Sequence, residues 1–206
     1  MLLKNKNLLI GYKLLFGLLG FSAIVTEIAT IVERGRFNPA NFFSYFTIES
    51  NILVFVTLLL SAIAVAANKN SKLDNLRGAV TVYILIVGIG FSFLLAGLED
   101  VALTAVAWDN TVLHYIMPAV MLIDFLLDPP KRKLRLKQSL YWLLFPIVYL
   151  AYSLTRGAMT GWYPYPFLNP ATKGYGAIAL TASCLLVLGL GLVWVVCKLS
   201  GKRKAA

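Results

Sequence analysis

Six apolar stretches, at roughly 8 to 32, 43 to 67, 78 to 98, 108 to 127, 138 to 157 and 175 to 198, fill almost the whole of this 206-residue chain. Each is long enough to cross a hydrocarbon core as an α-helix, which takes about 20 residues. Inside that core the backbone finds no water, so only a helix that bonds its own N–H and C=O groups suits such a segment. The expected fold is all-α: a polytopic membrane protein of six transmembrane helices, forming one domain over residues 1–206. Composition agrees, since 59% of residues are hydrophobic and 14% charged, outside the range of soluble domains. Lys4 and Lys6 precede the first stretch as in a signal peptide. Its apolar part is too long for one, and no small-x-small cleavage site follows, so it reads as a retained span.

A net charge of +10 would suit nucleic acid if the basic residues lined one face or groove. They stand instead in short clusters beside the spans, which excludes a nucleic-acid partner and reports topology. Lys4, Lys6, Lys13, Lys69, Lys72, Arg77, Lys131, Arg132, Lys133, Arg135, Lys137, Lys198, Lys202, Arg203 and Lys204 fall on one side, and Arg34, Arg36, Arg156 and Lys173 on the other. By the positive-inside rule both termini face the cytoplasm, and the protein belongs in a plasma membrane, in a bacterium the inner one. Cys184 and Cys197 share the last stretch without a C-x-x-C pair or a neighbouring histidine, so neither a disulfide nor a metal site is expected. No organic cofactor is implied either.

Topology gives each polar residue in a span a depth, at about 1.5 Å per residue. Thr47 and Glu49 open the second span, His114 opens the fourth beyond Trp108, Glu27 nears the end of the first, and Arg156 closes the fifth. All five reach the outer third, where ionisable groups face a bundle interior or a watered cavity. Thr47, Ser50 and Asn51 stand at i, i+3 and i+4 on one helical face, with Glu49 on another, so this helix should be central. Asn110, Thr111 and His114 share a face of the fourth span, with Pro118 a candidate kink. Asp124 lies at the cytoplasmic level and is expected to pair with the basic fourth loop.

A histidine beside a hydroxyl is the minimal unit of nucleophilic acyl transfer: imidazole accepts the proton, oxygen attacks a carbonyl, and nearby donors hold the oxyanion. Thr47 and His114 supply that pair. Ser50, Asn51 or free N–H groups in the first helical turn would serve as oxyanion donors, and Glu27 or Glu49 would orient the imidazole. Plainer readings stand beside these. His114 as an interhelical hydrogen-bond partner, Ser50 and Asn51 as packing groups, Glu27, Glu49 and Arg156 as an ion-pair network, and Trp162 to Phe167 as an interfacial aromatic belt all fit the sequence.

The aromatic-Phe-Thr-Ile context of Tyr45 to Ile48, and the run from Asn110 through His114 to Pro118, resemble the family of androgen-induced gene 1 and the androgen-dependent TFPI-regulating protein. The resemblance covers the six-span plan, with its specific part in those two motifs, and the segment from Arg156 to Pro170 looks more like a bacterial branch. It implies an integral-membrane threonine hydrolase of fatty acid esters of hydroxy fatty acids, with Thr47 as nucleophile and His114 as general base. A lipid ester drawn from the bilayer would be the substrate and membrane lipids the surroundings. Arg156, Arg34 or Arg36 would pair with a substrate or product carboxylate. The rivals are a small-solute or proton-coupled transporter along Glu27, Glu49, His114 and Arg156, a haem protein, for which one histidine allows no bis-histidine ligation, and a protein without chemistry.

Overall fold

Each of the apolar stretches is helical in the computed structural model, which describes residues 5–69, 73–97 and 104–201. Lys4, Lys72, Lys202, Arg203 and Lys204, used above to orient the chain, lie outside the described residues. Helix α1 (Lys6–Glu33) begins at Asn5, whose side-chain oxygen accepts the N–H groups of Asn7 and Leu8 at 3.0 and 3.3 Å, so two of the four unpaired donors at the helix start are satisfied. A single turn, α2 (Pro39–Phe42), is capped by Asn38 and leads into α3 (Phe46–Ala66), followed by α4 (Asp74–Leu94). Among the described residues there is no strand.

Two prolines shape the remaining stretches. The fourth consists of α5 (Ala107–Thr111), a π-helical turn (Val112–Ile116) and α6 (Met117–Leu127). Pro118 has no N–H to give the His114 carbonyl one turn back, and the chain widens into the π turn just ahead of it. Gly88 of α4 packs against this place; a Cβ there would lie 2.9 Å from the Pro118 ring and 3.2 Å from the His114 carbonyl oxygen. The fifth stretch runs through α7 (Leu136–Ser139), a 3-10 turn (Leu140–Leu143) and α8 (Leu144–Thr160). Here Pro146 leaves the Trp142 carbonyl without its helical partner, and the Tyr83 hydroxyl donates to it at 2.9 Å. A second 3-10 turn (Pro166–Leu168) precedes α9 (Pro170–Leu199), in which Gly174 at φ 72° separates the first turn from the long regular part.

Among the described residues five helical runs are long and apolar enough to cross a membrane: α1, α3, α4, α5 through α6, and α9. Helix α8, at 17 residues, is the short one, because its first turns are 3-10. The side chains are sorted inversely to a soluble protein: Leu15 and Val187 are 63% and 68% exposed, while Lys13, Arg77 and Asp124 are fully buried.

Helices α1 and α3 pack most closely, where Gly17 admits Leu59 and, nearby, Gly20 admits Met117. The second span is not the central one. That place belongs to α4, the most enclosed helix, which touches α3, α6 and α9. Its Arg77 forms the hub of a buried ion network, giving Nε and Nη2 to one Asp124 oxygen at 3.1 and 2.8 Å and Nη2 to the Asp128 carbonyl at 2.7 Å. Lys13 bonds the other Asp124 oxygen, and the Asp128 and Asp74 carboxylates lie 3.3 and 3.5 Å from Arg77. Asp124 therefore pairs with cations of α1 and α4, and not with the basic loop after Pro130, whose lysines and arginines are exposed. Burial explains the choice: desolvated carboxylates take the partners that share their low-dielectric site.

Candidate active site

At the start of α3 no side chain of the preceding segment caps the helix. Two tyrosines from elsewhere in the chain do so. The Tyr149 hydroxyl accepts the Phe46 N–H at 3.3 Å while donating to the Ser44 carbonyl at 2.9 Å, and the Tyr165 hydroxyl accepts the Thr47 N–H at 3.1 Å. The N–H groups expected to stand free as oxyanion donors at Phe46 and Thr47 are thus occupied. The same Tyr165 oxygen lies 3.2 Å from Thr47 Oγ1.

Tyr165 reaches this position through a tightly specified turn. Helix α8 ends on Gly161 in the left-handed region, and the chain folds back so that the Tyr163 ring lies on Gly157. A Cβ at Gly157 would fall 2.0 Å from that ring, so no other residue allows this return. Tyr165 then inserts edge-on to Tyr45 at 5.6 Å and stacks on Phe167 at 5.1 Å with planes 5° apart. The aromatics from Trp162 to Phe167 are therefore not simply an interfacial belt, since Tyr165 is buried inside the bundle. Burial pushes its phenol up to about 12, which keeps it protonated at neutral pH.

Thr47 and Tyr165 border a cavity of about 410 Å³, walled for the rest mainly by apolar side chains of α4, α8 and α9 such as Val87, Phe91, Leu150 and Leu185, with Tyr149 and Ser183 among them. This lies within the range of about 300–1,000 Å³ usual for small-molecule pockets. Helix α9 packs against α4 and against the 3-10 turn (Leu140–Leu143) that leads into α8. Between α8 and α9 the cavity reaches Ile147 and Leu186, which are 48% and 42% exposed on the outer surface. The hollow thus opens sideways, through the apolar flank of the bundle.

His114 is buried in the π turn, its ring stacked on Phe91 with centroids 4.0 Å apart. Phe91 lines the cavity and His114 stands behind it. Nδ1 lies 3.1 Å from the Asn110 carbonyl, which can only accept, so Nδ1 carries the hydrogen and Nε2 the lone pair. A backbone carbonyl, and neither Glu27 nor Glu49, orients the imidazole. Thr47 Oγ1 and His114 are not hydrogen-bonded to each other, and Asn51 joins their two elements. Its Nδ2 donates to the Thr47 carbonyl at 2.9 Å and to the Leu113 carbonyl at 3.2 Å. Both its hydrogens are spoken for, which removes Asn51 as an oxyanion donor. Asn51→Leu should lower stability by about 1–3 kcal/mol through the buried Leu113 carbonyl that loses its partner, the Thr47 carbonyl keeping its helical bond; thermal melts in detergent measure the loss.

The other expected residues disperse. Both carboxylate oxygens of Glu27 accept the Ala105 N–H, at 2.9 and 2.8 Å, beside fully buried Asp109, and Arg34 donates to the Ala105 carbonyl at 3.0 Å. Ser50 Oγ, Asn110 Oδ1 and Glu49 Oε2 are buried without hydrogen-bonding partners. Arg156 donates to Asn41 Oδ1 at 2.7 Å and lies over the Trp162 ring, away from Thr47's cavity. Among the described residues no group of histidine, cysteine, aspartate or glutamate side chains has the arrangement to hold a metal. Tyr165, the residue sequence reasoning missed, left one signal: a tyrosine between two prolines, Pro164 and Pro166, where backbone freedom is least. Comparison of the chain with protein-family models, curated proteins and solved structures finds no match.

Proposed function

We propose that this protein is an integral-membrane hydrolase of lipid esters, fatty acid esters of hydroxy fatty acids or similar, with Thr47 as nucleophile and His114 as general base. The observation that carries the reading is a threonine hydroxyl at the polar end of an apolar cavity that opens sideways between α8 and α9. In this reading the run through α8 also crosses, as the fifth of six spans, both termini face the cytoplasm, and the Thr47 level lies in the outer leaflet. Acyl chains then slide in from the bilayer and bring the ester to Thr47. Fully buried Val54, Leu58, Ile84, Met117 and Met121 lie between this level and the Lys13–Asp124 network, which argues against a polar path for a transported solute.

Thr47 Oγ1 attacks the carbonyl carbon while its proton passes through bridging water to His114 Nε2, and the carbonyl π pair moves onto oxygen. The pair returns, the bond to the alkoxy oxygen breaks, and that oxygen leaves with the proton from Nε2. Water then attacks the acyl-threonine with His114 again taking the proton, releasing the carboxylic acid and restoring the Thr47 hydroxyl. The test is reaction of the purified protein with an alkyl fluorophosphonate, followed by mass spectrometry of the adduct. A phosphonyl group on the peptide bearing Thr47 is expected; no adduct, or one at another residue, sinks the assignment.

A further inference from the structure

We propose that the Tyr165 hydroxyl is the oxyanion donor of this site, a role that rests on the hydrolase reading above. An oxyanion formed by attack of Thr47 lies two bonds from Thr47 Oγ1, through the former carbonyl carbon, and the donors within reach are few. The Asn51 amide gives both hydrogens to carbonyls, the Phe46 and Thr47 N–H groups are held by Tyr149 and Tyr165, the Tyr149 hydroxyl donates to Ser44, and Ser50, whose hydroxyl has no partner, does not line the cavity. Tyr165 Oη, 3.2 Å from Thr47 Oγ1 and lining the same cavity, has one hydrogen to give. In the resting protein the threonine oxygen is within its reach; as a carbonyl oxygen takes negative charge, the same hydrogen turns to it by rotation about the C–O bond.

The phenol is well prepared for this. It accepts the Thr47 N–H, which sits at the positive end of the α3 dipole, so the N–H polarises the O–H and makes it a stronger donor than an isolated tyrosine. The chain from N–H to phenol to oxyanion carries the helix-end charge to an atom the backbone does not itself reach. Its orientation is fixed before substrate arrives by stacking on Phe167, contact with Tyr45 and the turn over Gly157, and a fixed donor needs no reorganisation as charge develops. Raised by burial, the phenol stays protonated and is a donor rather than a base.

The experiment compares wild type and Tyr165→Phe in lipid nanodiscs, reading kcat and KM on p-nitrophenyl octanoate, the rate of alkyl fluorophosphonate labelling and the melting temperature. Tyr165→Phe should lower kcat about 10²–10³-fold, the usual loss for one oxyanion donor, with KM unchanged and labelling slowed in parallel. Wild-type kcat in the variant overturns the proposal and leaves the hydrolase reading intact, as does a loss that falls on KM alone. Wild type that neither labels nor turns over overturns the hydrolase reading itself, and this one with it. If Tyr165→Phe does not fold, 3-fluorotyrosine at position 165 keeps the hydroxyl and strengthens it as a donor. A rise in kcat then supports the assignment, and an unchanged or lower kcat overturns it.

Discussion

Thr47→Ala should yield a folded protein that takes no phosphonyl group and hydrolyses lipid esters at the uncatalysed rate. Folding survives because the bond that caps α3 uses the Thr47 backbone N–H, which alanine keeps, so only the hydroxyl contact to Tyr165 is lost. A single neutral hydrogen bond is worth about 1 kcal/mol. Thr47→Ser should retain the adduct, because the hydroxyl stays at the same edge of the cavity. His114→Ala should label slowly, by about 10²–10⁴-fold, the usual contribution of a general base. Labelling time courses on the four proteins, each checked for a cooperative melt, separate the roles. An alanine variant at Thr47 that labels like wild type would remove the nucleophile, and one at His114 that does so would remove the base.

Asp124→Ala should destabilise the bundle by about 3–5 kcal/mol, the usual consequence of removing one partner of a buried ion pair. Asp124 is the shared acceptor of Lys13 and Arg77, both fully buried, so its loss takes the closest carboxylate from two cations and leaves them only the more distant Asp128 and Asp74. Against a total stability of about 5–15 kcal/mol this is a large fraction. Lys13→Met should cost less, because Asp124 keeps Arg77, and a linear apolar side chain fills the volume. Melting temperatures in one detergent should therefore fall in the order wild type, Lys13→Met, Asp124→Ala. An Asp124→Ala protein as stable as wild type would mean that the carboxylate is not the keystone its bonds describe.

The helices were legible because each apolar run must satisfy its own backbone, and their bounds follow from where the runs stop. That the elements of Thr47 and His114 are neighbours is seen in Asn51, which bonds carbonyls of both, while helical rise alone supplied the expectation of a shared depth. What hydropathy does not encode is rotation and partner choice. Asp124 looked like a neighbour of Lys131 to Lys137 because they are close in sequence, while its partners Lys13 and Arg77 come from the other helices of the bundle. Tyr165 looked like one aromatic among several at a surface, because nothing local announces that Gly157 lets Tyr163 down onto α8 and thereby turns Tyr165 inward. The fifth stretch read as a uniform span, although the helix there is broken into 3-10 and α segments ahead of Pro146.

The sideways slit between α8 and α9 bears on how the protein must be handled. An opening of that kind samples whatever alkyl chains surround it, and in a micelle those are surfactant tails. On the hydrolase reading, straight-chain surfactants therefore act as competitors, and turnover should track the mole fraction of ester in the micelle rather than its bulk concentration. Surfactants with a rigid steroidal body in place of an alkyl tail are the better choice for extraction.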